Sequence, residues 1–122
     1  MPFPKAMIRL EAELDGAGVV VGYRAGGHAG SGPKGADIVC AAVSALSRAM
    51  LGALQGKEGV RVRADAHERG QFSLDVGYED AARLFLEGAG AVLLEGLGSV
   101  AEEYPECCKL TIKRKLGDNY GT

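Results

Sequence analysis

A histidine and a cysteine twelve positions apart form the pair in this chain with the makings of a reactive centre. His28 follows Gly26 and Gly27 at the end of a predicted strand, and Cys40 falls in the first turn of a predicted helix. A cysteine attacks as its thiolate, and a free thiol titrates near about 8.5. A helix N-terminus and a neighbouring imidazolium both favour the charged form. The chemistry such a pair supports is acyl transfer. The thiol attacks a peptide carbonyl while the imidazole accepts its proton and later passes it to the leaving amine. Backbone amides near Val39 to Ala41 are the expected oxyanion donors. Asp37 reads as the N-cap of the helix. Ser44 lies one turn beyond Cys40 on the same face, where its hydroxyl can donate to a thiolate or orient a substrate. A cysteine in an Ala-rich helix is also an ordinary small buried residue. The residues taken alone leave both readings open.

The elements that must hold this pair follow from periodicity. Ile8, Leu10, Ala12 and Leu14 alternate with Arg9, Glu11 and Glu13, the pattern of a half-buried strand. Asp15-Gly16-Ala17-Gly18 signals a turn into a second strand over Val19 to Ala25. The segment from Gly26 to Gly35 is rich in glycine, which predicts a mobile loop able to close over a bound peptide. A helix is expected from Asp37 to about Gln55, its apolar stripe running through Val39, Ala42, Val43, Leu46, Ala49, Met50, Ala53 and Leu54. A third strand follows in which Val60, Val62, Ala64 and Ala66 alternate with Arg61, Arg63, Asp65 and His67, and Phe72, Leu74 and Val76 mark the inward face of a fourth. A long helix is predicted over Glu79 to Tyr104, buried through Ala82, Phe85, Leu86, Ala89, Val92, Leu93, Leu97 and Val100. Gly88, Gly90, Gly96 and Gly98 within it imply either close packing or a kink. Pro105 ends it, and a last strand places Cys108, Leu110 and Ile112 inward, with Cys107 exposed. The order β-β-α-β-β-α-β gives an α+β fold, two helices packed on a mostly antiparallel sheet.

Size and charge narrow the function. The 122 residues suffice for one domain, with 47% apolar and 25% charged residues. A net charge of −2 lacks the basic excess of a general nucleic-acid binder. The basic tail residues Lys109, Lys113, Arg114 and Lys115 read as a solvated strand face. No run of 18 apolar residues predicts a membrane span, and no signal peptide is evident, so a cytoplasmic protein is expected. Three cysteines, Cys40, Cys107 and Cys108, do not make a disulfide framework. The glycine loop lacks the Gly-Lys-Ser/Thr ending of a phosphate loop. His28, Cys40, His67, Cys107 and Cys108 have no familiar metal-ligand spacing. His67 alternates onto the polar strand face with Arg61 and Arg63. No cofactor or metal is expected.

Gly27-His28-Ala29 and Asp37-Ile38-Val39-Cys40-Ala41-Ala42-Val43-Ser44, at this spacing, closely resemble the paired motif of the ribosomal-processing cysteine protease family, Prp. Ala101-Glu102-Glu103-Tyr104-Pro105 at the end of the second helix is also typical of that family. The similarity runs from about Ile8 to Ile112. The resemblance implies Cys40 as nucleophile and His28 as base, with Gly27, Ala29, Asp37 and Ser44 in supporting or substrate-binding positions. It implies a homodimer in ribosome biogenesis. Its substrate would be the precursor of large-subunit ribosomal protein number twenty-seven, from which the family removes an N-terminal extension after a hydrophobic, Phe-containing sequence. Where the family loop usually carries an aromatic residue, this chain reads Gly30-Ser31-Gly32-Pro33. The rival expectation is a non-catalytic, ribosome-associated binding or assembly module that keeps the fold.

Overall fold

The computed structural model describes residues 7–27, 36–66 and 71–115. His28, Ala29, the glycine loop to Gly35 and His67 lie outside the described residues. The element order is β1 (Ile8–Leu14), β2 (Val20–Gly26), α1 (Ala36–Leu54), β3 (Val60–Asp65), β4 (Phe72–Tyr78), a short 3-10 turn (Asp80–Ala82), α2 (Arg83–Glu103) and β5 (Cys108–Arg114). This is the expected α+β order.

The strands form one sheet in the order β3-β4-β2-β1-β5. β1 pairs antiparallel with β2, β2 with β4, and β4 with β3. β5 runs parallel to β1, with Ile8 opposite Cys108 and Leu14 opposite Arg114. These directions make β2-α1-β3 and β4-α2-β5 two crossover units, each joining parallel strands that are not neighbours. A crossover of this kind needs a helix-length connection. Both helices pack on the face of the sheet that carries Leu10, Tyr23 and Leu74, all nearly inaccessible to solvent. The opposite face carries the charged alternates, including Arg24 paired with Asp75 at 3.1 Å and Lys113 with Glu11 at 2.8 Å. Both α1 and α2 are long and apolar enough to cross a membrane by composition alone. Of their apolar residues, Val39, Val43, Met50 and Leu54 of α1 and Leu86, Leu93 and Leu97 of α2 lie in the core shared with the sheet.

Alternation and helical period placed most of the core, and the exceptions are physical. Val39, Val43, Met50 and Leu54 of α1 are buried, as is Ser47, whereas Ala49 and Ala53 are exposed. On α2, Leu86, Leu93 and Leu97 are buried with Gly90, but Phe85 and Val92 face outward. The helix runs unbroken through its glycines. A Cβ on Gly90 would stand 2.9 Å from Val20, and one on Gly96 would stand 3.0 Å from Leu46. These two glycines let α2 lie close to β2 and α1. Gly88 and Gly98 face open space.

Cys107 is buried, contrary to the alternation of the last strand. The chain turns before β5, with the amides of Cys107 and Cys108 both donating to the Tyr104 carbonyl. The turn carries both thiols inward, each 2% exposed.

The β1–β2 turn is held from outside. Asp15 accepts the amides of Ala17 and Val19 at 2.9 and 3.0 Å, and its second oxygen accepts the Tyr78 hydroxyl. Burial pushes the Asp15 carboxyl up, but these bonds outweigh it and hold the group below its ordinary 3.8. Burial, then the bond to Asp15, pushes the Tyr78 phenol up to about 12. A lowered carboxylate contributes stability that is complete above its unfolded value and is lost as pH falls through the folded one. A raised phenol contributes stability that is complete below its unfolded value of 10.0 and is lost as pH rises toward about 12. Tyr78→Phe is therefore expected to lose about 1 kcal/mol at neutral pH. The gap from wild type should close at both extremes, below the ordinary carboxylate range and above that of a free phenol. Urea denaturation across pH checks this, and a gap independent of pH would contradict it.

Candidate active site

The C-terminal ends of β2 and β3, the start of β4 and the first residue of β1 all lie at one end of the sheet. The chain that leaves β2 there goes on to α1. α1 crosses this end, and between it and the strands lies a cleft of about 480 Å³. The strands contribute Ile8, Ala25, Gly26, Gly27, Gln71 and Phe72 to its wall, and Ala66 closes one edge. The helix contributes Cys40, Val43, Ser44, Ser47, Arg48 and Leu51. The spacing of Cys40, Ser44, Ser47 and Leu51 is that of one helix face.

The structure therefore brings Gly27, Cys40 and Ser44 together around one cavity. Cys40 is half-buried and packs against the core, and Ser44 is exposed at the rim. Asp37 is also exposed and does not line the cleft. Its expected role as N-cap is corrected, because α1 begins at Ala36 and Asp37 lies inside the first turn. A carboxylate there still complements the helix dipole. Within this helix the amides of Cys40 and Ala41 bond back to the carbonyls four residues earlier, at Ala36 and Asp37. The expected oxyanion donors at Cys40 and Ala41 are thus spent on the helix. Cys107 and Cys108 do not line the cleft.

Sequence reasoning missed the residues that fix α1 in place. The Tyr23 hydroxyl and the Ser47 hydroxyl are hydrogen-bonded at 2.8 Å in the core, and each could be the donor. Tyr23 is fully buried, and its ring meets Phe72 at 5.8 Å between centroids. Burial pushes the Tyr23 phenol up, so it stays protonated and available as a donor. This bond ties α1 to β2 two turns beyond Cys40, on the Cys40 face. The signal was present in the heptad step from Cys40 to Ser47, but its partner lies 24 residues upstream.

Cys40 thus stands on the wall of a largely apolar cleft at one end of an α+β sheet. Comparison with known proteins supplies the class, a thiol peptidase. The sequence model of cysteine protease Prp matches residues 7–109. SMU.848 from Streptococcus mutans is 30% identical with a TM-score of 0.72, over 90% of this chain and 97% of that one. The essential ribosomal processing protease Prp from S. aureus, in complex with a substrate peptide, is 27% identical with a TM-score of 0.74. That alignment covers 88% of this chain and 100% of the other. The same S. aureus protease with a covalently linked product peptide is 28% identical with a TM-score of 0.72, at the same coverage. No curated protein sequence matches. The chain belongs to the Prp family of cysteine proteases.

Proposed function

We propose that this protease removes the N-terminal extension from the precursor of large-subunit ribosomal protein number twenty-seven, with Cys40 as nucleophile and His28 as base. The observation that carries the reading is the position of Cys40, a half-buried thiol on the wall of the peptide-sized cleft in a chain of this family. The S. aureus relative, solved with a substrate peptide and with a covalently linked product peptide, supports a peptide substrate and a covalent route. Cys40 Sγ attacks the scissile carbonyl as His28 takes the thiol proton. The C–N bond breaks as His28 returns the proton to the departing amine. Water then cleaves the thioester, freeing the acid and the thiol. The apolar wall of Ile8, Val43, Leu51 and Phe72 suits the hydrophobic sequence before the cut. The reaction takes place in the cytoplasm, where the precursor is made.

Incubating the host's precursor with the enzyme and reading intact mass tests this. One cut near the N-terminus, by the wild type alone, supports it. An uncut precursor favours the non-catalytic assembly module.

The active form in this proposal is a homodimer. Leu84 and Val92 are 71% and 70% exposed, two turns apart on α2, with the bare Gly88 between them. That spacing makes one apolar stripe along a surface helix, which a second copy can cover. Sedimentation velocity should show a dimer for the wild type and a monomer for Leu84→Glu/Val92→Glu. A monomeric wild type removes the dimer from the proposal.

A further inference from the structure

Tyr23 reaches both walls of the cleft without lining it. Its hydroxyl is bonded at 2.8 Å to Ser47 on the helix wall, and its ring meets Phe72 of the strand wall at 5.8 Å between centroids. Tyr23 is fully buried and Ser47 is 4% exposed, so water does not compete for the bond. Among the described residues it is the one side-chain hydrogen bond between α1 and the sheet. Otherwise α1 meets the core through apolar side chains, Val39, Val43, Met50 and Leu54. Apolar attraction has no direction and allows a small slide or turn of the helix, whereas a hydrogen bond weakens steeply with misalignment.

The bond stands at the base of two arms. Along α1, Cys40 is seven residues before Ser47, roughly 10 Å away and within about 20° of the same face. Along β2, Gly26 is three residues beyond Tyr23, again roughly 10 Å away. Both arms end on the cleft, where Cys40 and Gly26 face each other's wall. One carries the thiol, and from the other the chain goes on through Gly27 to His28. With arms of this length, a turn of roughly 5° at the bond moves the thiol about 1 Å against the strand. Misplacement of that size costs a reacting pair about a hundredfold in rate.

We infer that Tyr23 and Ser47 are a positioning pair for the cleavage reaction, their bond setting how far the Cys40 thiol stands from the end of β2 that leads to His28. The inference rests on the proposed roles of Cys40 and His28. Tyr23 acts only through others, holding Ser47 by its hydroxyl and Phe72 by its ring, so one side chain fixes the helix wall against the strand wall.

The test uses one peptide containing the cut sequence, with wild type, Tyr23→Phe, Ser47→Ala and the double variant compared at a temperature where all four are folded. Tyr23→Phe keeps the ring on Phe72 and lets Ser47 turn its hydroxyl back to its own helix. Ser47→Ala leaves the phenol buried without its partner, so it should melt lowest. The double variant removes that stranded hydroxyl and should melt above Ser47→Ala. Turnover should not follow the melting order. All three variants should lose roughly ten- to a hundredfold in kcat with KM within about twofold of wild type, and the double variant should be about as slow as the slower single one. A kcat within about twofold of wild type in either single variant, a loss confined to KM, or a kcat that recovers with the melting temperature in the double variant overturns the inference. Cleavage by wild type and not by Cys40→Ala shows separately that the site itself is sound. A peptide that wild type leaves uncut takes the proposed function away, and this positioning role with it.

Discussion

Cys40→Ala is expected to lower kcat/KM on the precursor by at least about 10⁴-fold while leaving the fold and peptide binding in place. Removing a nucleophile deletes the covalent route, and what survives comes only from binding and positioning. The structural effect should be small. Cys40 is half-buried, so losing one sulfur leaves no enclosed cavity, and a change below about 1 kcal/mol is expected. The other two thiols provide the contrast. Cys107 and Cys108 are each 2% exposed, and burial pushes the Cys108 thiol up. A thiol reagent should therefore modify one cysteine quickly in the native protein, and the fast phase should vanish in Cys40→Ala. Cleavage by Cys40→Ala within tenfold of wild type would remove Cys40 from the mechanism. Two fast thiols would instead show that the turn before β5 opens readily.

The inner strands were legible because they obey one rule, whereas on the edge strand β5 Ile112, expected inward, is 49% exposed. Ile8, Leu10, Ala12 and Leu14 alternate and are all buried. The strand order was not legible, since the parallel pairing of β5 with β1 joins residues about 100 positions apart and leaves no local pattern. The second helix misled for another reason. Apolar period assigned Val92 inward, yet Gly90, with no side chain to pattern, takes the closest approach to the sheet. The site was legible as motif more than as mechanism. Cys40 and Ser44 share the cleft as their one-turn spacing requires. The device that holds them, Ser47 bonded to Tyr23, is a polar residue in an apolar stripe, and only its distant partner explains it.

Gly27→Ala is expected to destabilise the fold by about 3 kcal/mol and to abolish cleavage with it. Gly27 has φ +98°, a conformation that L side chains rarely adopt. A Cβ there would also be driven into the Met7 carbonyl oxygen and crowd the Ile8 Cα. The end of β2 must then move off the start of β1. Both form the strand side of the cleft, and His28 is the next residue in the sequence. Strain and collision can be separated inside this protein. Gly18 and Gly56 have φ +87° and +79° with no atom within 4 Å of where a Cβ would stand, so alanine at either meets only backbone strain. Each should lose about 1 kcal/mol and keep its cleavage rate. Gly27→Ala should lose the further increment that comes from collision, together with kcat/KM measured on the folded fraction. Equal losses at all three glycines would mean that β1 yields to the new methyl group. Cleavage at the wild-type rate by folded Gly27→Ala would show that the approach of β2 to β1 does not position the base.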